Sequence, residues 1–563
     1  MKKLIIAVLF LTVLCVGSQA LAGNWYVDNT AKGTNAGSSW ANAWKSFGSI
    51  GWSTVACGDT IYISGGPSGS SKTYADRVVV GKSCTEGSPL TITVGADANH
   101  NGTVKIIGEA AKFYGIRIAS KNWITIDGQS NGDGQRHIEI YQQAACAVTN
   151  NCVIGGVLIE GTSVGIKLKY IYLHDVGLKD NDYYTAVKWQ FTNSTYAVGH
   201  ELSYSYIEKT IDCVNVGTSG GVKPTTYGGV KIHHNTIKCY DDGIQTSVST
   251  DIYDNTITRD IFVNKGHPDG IQVYGSYVRI YNNLFTGFLD QTSGNSAIYW
   301  EPDGAENMNH NGYQPSDFMV FNNVFYETGS ANTSVVAISL GLSDTRFKSI
   351  KRVYILNNTF NGKYSGTIIK GWGNTKLDKS AVSDFYIMNN LLYDSARSGS
   401  QLFALDPPAY VTTPVDYGGD GSGASIIVDY NSCYSSTGTA NVKYLGKYYT
   451  YSGFMDVAKQ GIQSHGVTAN PLVHPTTLKL QAGSPCIAAG APARAYLTTD
   501  KDGTPRSSWE IGAYAHTGAS TLPTTTTTVT TPTTTATTTT PTTTTTTKTT
   551  TTTTTTKKRI WNR

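Results

Sequence analysis

Three aspartates recur ahead of short apolar strand patterns, in Asp212-Cys-Val-Asn-Val, Asp242-Gly-Ile-Gln-Thr and Asp269-Gly-Ile-Gln-Val, separated by 30 and then 27 residues. Stacked in register, their carboxylates would line up on one face. Like charges held that way raise one another's pKa or recruit a cation. Asp241 adds a fourth carboxylate, and His267 lies two positions before Asp269. The competing reading is turn chemistry, because Asp and Asp-Gly favour turns and bond backbone amides there.

The spacing bears on which chemistry would fit. Adjacent strands lie about 4.8 Å apart, so neighbouring aspartates would be roughly 5 Å apart and Asp212 to Asp269 roughly 10 Å. Retaining glycosidases set their two carboxyls about 5 Å apart and inverting ones about 6.5–9.5 Å apart, the range of a diagonal pair that includes Asp241. One carboxyl would then hold its proton as general acid and another would act as base. β-Elimination on a uronate instead needs a base and a cation on the substrate carboxylate. Asp242 and Asp269 are the oxygen ligands that such a Ca²⁺ would use. The bases in reach by sequence are His267, Lys265, Arg279, Lys188 and Tyr240. No cofactor beyond that Ca²⁺ is called for.

Positioning these residues requires a repeat. An apolar strand running into Asn recurs at Ile232-His-His-Asn235, Ile252-Tyr-Asp-Asn255, Ile280-Tyr-Asn-Asn283, Val320-Phe-Asn-Asn323, Ile355-Leu-Asn-Asn358 and Ile387-Met-Asn-Asn390. Between these runs a second series places a small residue before an apolar one: Gly115-Ile116, Gly156-Val157, Ala186-Val187, Cys213-Val214, Gly243-Ile244, Gly270-Ile271, Ala297-Ile298 and Ala337-Ile338. Strand alternation puts those apolar residues inside. The outward series is then Arg117, Leu158, Lys188, Asn215, Gln245, Gln272, Tyr299 and Ser339. Trp300 takes the inward parity and Glu301 the outward one.

Many short strands repeated through turns predict an all-β, right-handed parallel β-helix, a single-chain β-solenoid with an Asn ladder in one turn. Substrate contacts are expected from Lys188, Gln245, Gln272, Tyr274, Tyr299 and Arg279. The line of small residues is consistent either with a ligand lying close over the surface or with steric demands of the turn.

At these motifs the chain resembles the secreted bacterial parallel β-helix proteins of the pectin-lyase-like superfamily. Trp25-Tyr26-Val27-Asp28, Trp40-Ala-Asn-Ala-Trp44 and Gly58-Asp59-Thr60-Ile61-Tyr62-Ile63 look like their opening segment. Gly483-Ser-Pro-Cys486-Ile487, Asp502-Gly-Thr-Pro-Arg506 and Glu510-Ile-Gly-Ala-Tyr514 look like their closing one. A weaker similarity runs to polygalacturonases, whose successive coils carry Asn-Thr-Asp, Asp-Asp and Gly-His-Gly. Here those positions read Thr210-Ile211-Asp212, Asp241-Asp242 and Gly266-His267-Pro268. The resemblance implies Asp212, Asp241 and Asp242 as carboxylates and His267 as a supporting histidine. It also implies an extracellular polysaccharide as substrate.

Lys2 and Lys3, the apolar run from Leu4 to Val16 and Ala20-Leu-Ala22 read as a secretory signal peptide over 1–22. Expected next are an opening and capping segment over 23–110, coils over 111–450, a closing segment over 451–518 and a disordered Thr/Pro-rich tail over 519–563. Of nine cysteines, eight remain without Cys15. Cys146 with Cys152, then Cys57 with Cys84, are the expected bridges. Charge is nearly balanced, at a formal +4, with no basic stripe, so nucleic-acid binding is unsupported. A secreted or surface-displayed monomer that meets a polysaccharide, or a surface glycan on a Thr-rich stalk, is the expectation.

Overall fold

The computed structural model describes residues 22–518, leaving out 108–113, 142–154, 177–184, 220–223, 260–267, 289–295, 303–314, 327–334, 342–348, 362–363, 371–381, 395–400, 407–416, 419–425, 437–440, 445–446, 452, 455–461 and 493–496. The gap at 260–267 places Lys265 and His267 outside the described residues, as 142–154 does Cys146 and Cys152.

Three long sheets of 14, 13 and 12 strands run the length of the described chain. One turn of the helix is Val230–His233 in sheet A, Thr236–Cys239 in sheet B and Ile244–Thr246 in sheet C, before Thr250–Tyr253 returns to sheet A. Each strand pairs in parallel with its counterpart one coil on; the exception among the described residues is the hairpin of Asn441–Tyr444 with Lys447–Thr450. The chain is an all-β, right-handed parallel β-helix. Stacking already begins at Asn24–Val27 against Thr60–Ile63, inside the opening segment.

The registers reproduce the alternation read from the sequence. Val187, Val214, Ile244, Ile271 and Ile298 stand opposite one another and are fully buried. With Ile232 and Ile237 on the other sheets they fill the interior, and each such side chain contributes about 1.5–3 kcal/mol by leaving water. Trp300 is also fully buried, at the inward parity.

From Asn235 to Asn431, one corner of the coils is closed by side-chain amides. Asn235, Asn255, Asn283, Asn323, Asn358, Asn390 and Asn431 stack; Asn235 Oδ1 accepts the N–H of Ser205, and each later Asn receives at Oδ1 the backbone N–H of the Asn before it. Their Nδ2 groups donate to the next Oδ1 and to carbonyls of the preceding coil, as Asn323 does to Ile280. Burying a turn is tolerable only when its polar groups are paired, and this column pairs them.

The first Asn of each doublet does different work. Asn282, Asn322, Asn357 and Asn389 sit at φ between 53° and 58°, the left-handed region that Asn tolerates. The closing segment runs back along them. Lys501 Nζ donates to Asn282 O, Asn322 Nδ2 to Thr499 O, Asn357 Nδ2 to Glu510 O and Asn389 Nδ2 to Ala491 O. That segment is therefore a strap along the side of the helix rather than only an end cap.

Candidate functional site

Sheet C carries the three aspartates at its leading edge. Asp212 opens the strand Asp212–Thr218, and Asp242 and Asp269 each lie two residues ahead of strands that begin at Ile244 and Ile271. Because Val214, Ile244 and Ile271 are register partners, the three aspartates stack on consecutive coils. All are buried, at 2%, 5% and 2% exposure.

Their oxygens meet backbone donors of the following coil. Asp242 Oδ1 accepts the N–H of Asp269 at 2.7 Å, and Asp269 Oδ1 accepts that of Ser296 at 2.7 Å. Asp212 likewise accepts from the N–H of Asp242. Asp242 Oδ2 accepts Gln245 Nε2 at 2.6 Å, and Gln245 Oε1 accepts Asn215 Nδ2 at 2.7 Å. Asp212 Oδ1 is buried without a hydrogen-bond partner among the described residues.

Burial, then the neighbouring Asp241, pushes Asp212 up to about 7. Asp242 is raised well above the carboxylate range by burial first, then by Asp269, Asp212 and Asp241. Asp241 itself is half-buried, held by its N–H on Ile211 O. A disulfide from Cys213 to Cys239 fixes this geometry from below, joining the residue after Asp212 to the one before Tyr240-Asp241. The expected Cys57–Cys84 bridge is also present.

Outside the column, Lys188, Asn215, Gln245, Gln272 and Tyr299 follow one another in register as the outward line of sheet C. Lys188, Asn215, Gln245 and Tyr299 are partly exposed. Gln272 is a correction: it is 2% exposed and donates to Glu301 Oε2 at 3.2 Å, so it holds Glu301 rather than meeting a ligand. Outward parity fixes the side of the sheet, not what covers it. Tyr274 stands beside the column, its hydroxyl pKa raised by burial and then by Asp242, Glu301 and Asp269.

Arg279 is a second correction. Its strand, Val278–Tyr281, belongs to sheet A, where the guanidinium forks Asp251 and lies 5.1 Å over the Tyr227 ring. Sequence proximity to Asp269 misled, because ten residues carry the chain into another sheet. The small-residue line resolves in favour of sterics. A Cβ on Gly243 would stand 2.4 Å from Gly270 O, and one on Gly270 would meet Ala297 O and Phe288.

Arg259 was missed. It ends the strand Thr256–Arg259 in register with Cys239, and its Nε donates to Tyr240 O at 3.2 Å. Its guanidinium is within electrostatic range of Asp241, Asp242 and Asp269, while burial lowers its own pKa to about 10. The signal was available: Cys239 and Arg259 each stand four residues after a ladder Asn.

For Ca²⁺, both Asp242 oxygens already accept N–H donors, and among the described residues no three His, Cys, Asp or Glu gather as a ligand set. The arrangement can hold a proton near neutrality on Asp212 and set it beside the more exposed Asp241, the pairing that acid–base catalysis uses.

No known family model and no curated protein sequence matches the chain. Among solved structures, it is similar to pectate lyase Pel9A, at 14% identity and TM-score 0.41 over 88% of this chain and 97% of that one. XylC in complex with xylose aligns at 11% identity and TM-score 0.42 over 87% and 98%. The GH136 lacto-N-biosidase from Eubacterium ramulus aligns at 9% identity and TM-score 0.41 over 69% of this chain. The chain spans 66% of that enzyme, just under two thirds of its length.

Proposed function

We propose that this is an exported carbohydrate-active β-helix protein that cleaves an extracellular, acidic polysaccharide by hydrolysis or β-elimination. The observation that carries the reading is the stack of Asp212, Asp242 and Asp269 on consecutive coils beside the outward line Lys188–Asn215–Gln245. Asp212 is the general acid and Asp241 the second carboxylate. Asp242 orients Gln245, Asp269 continues the column, and Lys188 and Tyr299 with Tyr274 contact the sugar. His267 remains a proposed supporting histidine.

The hydrogen bonds from each carboxylate to the next coil favour a second reading as well. A column that only closes turns would suit a non-catalytic, adhesive β-helix displayed on the Thr-rich tail. The experiment is a screen of the secreted protein on acidic and neutral polysaccharides, with and without Ca²⁺. Elimination yields an unsaturated sugar that absorbs in the ultraviolet, hydrolysis yields reducing ends, and an adhesin yields neither. Asp212→Asn and Asp242→Asn variants should abolish turnover while keeping the fold; full activity in either would make that position structural.

A further inference from the structure

We propose that the outward face of sheet C carries a sugar subsite over Gly217, in which Asn215 is the specificity-determining residue and its carbonyl oxygen accepts a free hydroxyl of the bound unit. The subsite rests on the reading of sheet C as a polysaccharide face and adds to it a place and a chemical preference. One support is the polarity of a chain of side-chain amides. It runs from Asn215 through Gln245 and Gln272 to Glu301, each on the coil after the last. Gln272 Nε2 donates to Glu301 Oε2 at 3.2 Å, and Gln245 Nε2 lies 2.6 Å from Asp242 Oδ2 and 3.5 Å from Gln272 Oε1. With Nε2 committed to those oxygens, Gln245 turns Oε1 toward Asn215, whose Nδ2 donates to it at 2.7 Å. An amide carries its donor and its acceptor on separate arms, so Asn215 presents Oδ1 away from the chain. That oxygen lies beside Gly217, 3.4 Å from the position a Cβ would take there.

Gly217 is the second, independent support, because the fold does not require glycine there. A Cβ on Gly243, Gly270 or Gly275 would stand 2.4, 2.5 or 2.7 Å from a backbone oxygen. One on Gly217 would meet only ordinary contacts, with Asn215 Oδ1 at 3.4 Å, Ser247 Oγ at 3.9 Å and Trp189 O at 4.0 Å. Its φ also lies outside the left-handed region. A glycine inside a strand weakens it and marks a place where something approaches the backbone closely. Within the strand Asp212–Thr218, Gly217 shares the outward parity of Asn215. Their register partners on the coil before are the exposed Gln190 and the partly exposed Lys188. Bare backbone bordered by two amides, a hydroxyl and an ammonium suits a flat ring rich in hydroxyls, with the polar groups fixing its orientation. An acylated hydroxyl has no proton to give Asn215 Oδ1, so the subsite selects unacylated units.

The test is affinity electrophoresis of wild type, Gly217→Ala and Asn215→Leu on polygalacturonate, alginate and xylan, each also in O-acetylated form, with melting temperatures measured alongside. Wild type should be held back more by the free form of a polymer than by its acetylated form. Gly217→Ala should weaken binding to the free form about tenfold while melting at or above wild type, since alanine fits that backbone and only the ligand loses room. Asn215→Leu should bind the free and acetylated forms alike. Unchanged binding by Gly217→Ala would overturn the subsite, as would a preference for the free form that survives Asn215→Leu. Wild type held back by none of the polymers would overturn it too. Should Asn215→Leu fail to fold, Gly217→Ala decides alone. Cleavage assays on the same polymers keep the two claims apart. Binding lost in Gly217→Ala with no cleavage by wild type keeps the subsite and removes the proposed activity, whereas cleavage by wild type with Gly217→Ala unaffected does the reverse.

Discussion

Asp242 Oδ1 accepts the backbone N–H of Asp269 across the coil boundary at 2.7 Å. One carboxylate therefore closes the turn that presents the next. The stack is self-templating: the groups placed for chemistry are also the groups that pair the buried amides holding them in line. Asn does the same at the opposite corner, where Asn255 receives the N–H of Asn235 and passes its own to Asn283. An amide column is neutral and can be repeated indefinitely. A carboxylate column must either accumulate charge or hold protons as it lengthens, and this one spans three coils before Ser296 replaces the acid.

That contrast predicts different costs for two replacements of Asp242. Asp242→Ala leaves the buried Asp269 N–H without an acceptor and should lower unfolding stability by about 1–3 kcal/mol. Asp242→Asn keeps an acceptor at Oδ1 and should stay within about 1 kcal/mol of wild type, as Gln245 can turn its amide to receive the new donor. Urea unfolding of both variants at one pH measures the difference.

The pH dependence of stability follows from Asp212. Its carboxyl titrates from 3.8 when unfolded to about 7 when folded. Between those values the folded chain binds more protons than the unfolded one, so stability falls as pH rises through the window. Below 3.8 the group contributes no dependence, and above about 7 its full penalty is present. Asp212→Asn should flatten this part of the curve and gain most at pH 8; melting temperatures across the range would show whether it does.

His200 should set an opposing dependence at lower pH. It is buried, with Nε2 against Ser163 O and Tyr196 O, and Nδ1 accepts the N–H of Ile166. Burial lowers its pKa from 6.5 to about 4, so the unfolded chain binds the extra proton. Stability should fall as pH drops from 6.5 towards 4. His200→Gln should weaken that acid limb, measured by melting in the same buffers, while leaving the limb due to Asp212 in place.

The parts of this architecture that were legible in the sequence are those governed by a period. Alternation placed Ile244 inside and Gln245 outside, and the recurring small-then-apolar pairs Cys213-Val214, Gly243-Ile244 and Gly270-Ile271 aligned Asp212, Asp242 and Asp269. What escaped was set across sheets. Cys213 finds Cys239 because sheets B and C meet at a corner, and Arg259 reaches Asp241 around the same corner. Counting from the ladder Asn aligns Arg259 with Cys239, but how near either lies to sheet C leaves no mark in a strand's own pattern. Gln272 shows the complementary failure, since its parity was right but it is buried and bonded to Glu301 of the next coil, which parity does not report. The Asn doublets carried two roles in adjacent letters; only the partner strap, far along the chain, separates them.

The strap supplies the last prediction. Arg506 and Glu510 are buried at 0% and 1% side-chain exposure, with Nη1 to Oε2 at 3.4 Å. Arg506 Nη2 also donates to Asn322 Oδ1 at 3.0 Å and to Gly512 O at 3.1 Å. One guanidinium thus joins this Asn column to the strap and offsets the charge of the buried Glu510, with Asp500 also within its electrostatic reach. Arg506→Met should strand a buried carboxylate and cost about 3–5 kcal/mol, whereas Arg506→Met with Glu510→Gln should recover much of that loss. Glu510→Gln alone leaves Arg506 its two other acceptors and should be milder than Arg506→Met. If the pair merely packed, the single and double Arg506 variants would melt together; a double variant more stable than Arg506→Met is the outcome expected from calorimetry.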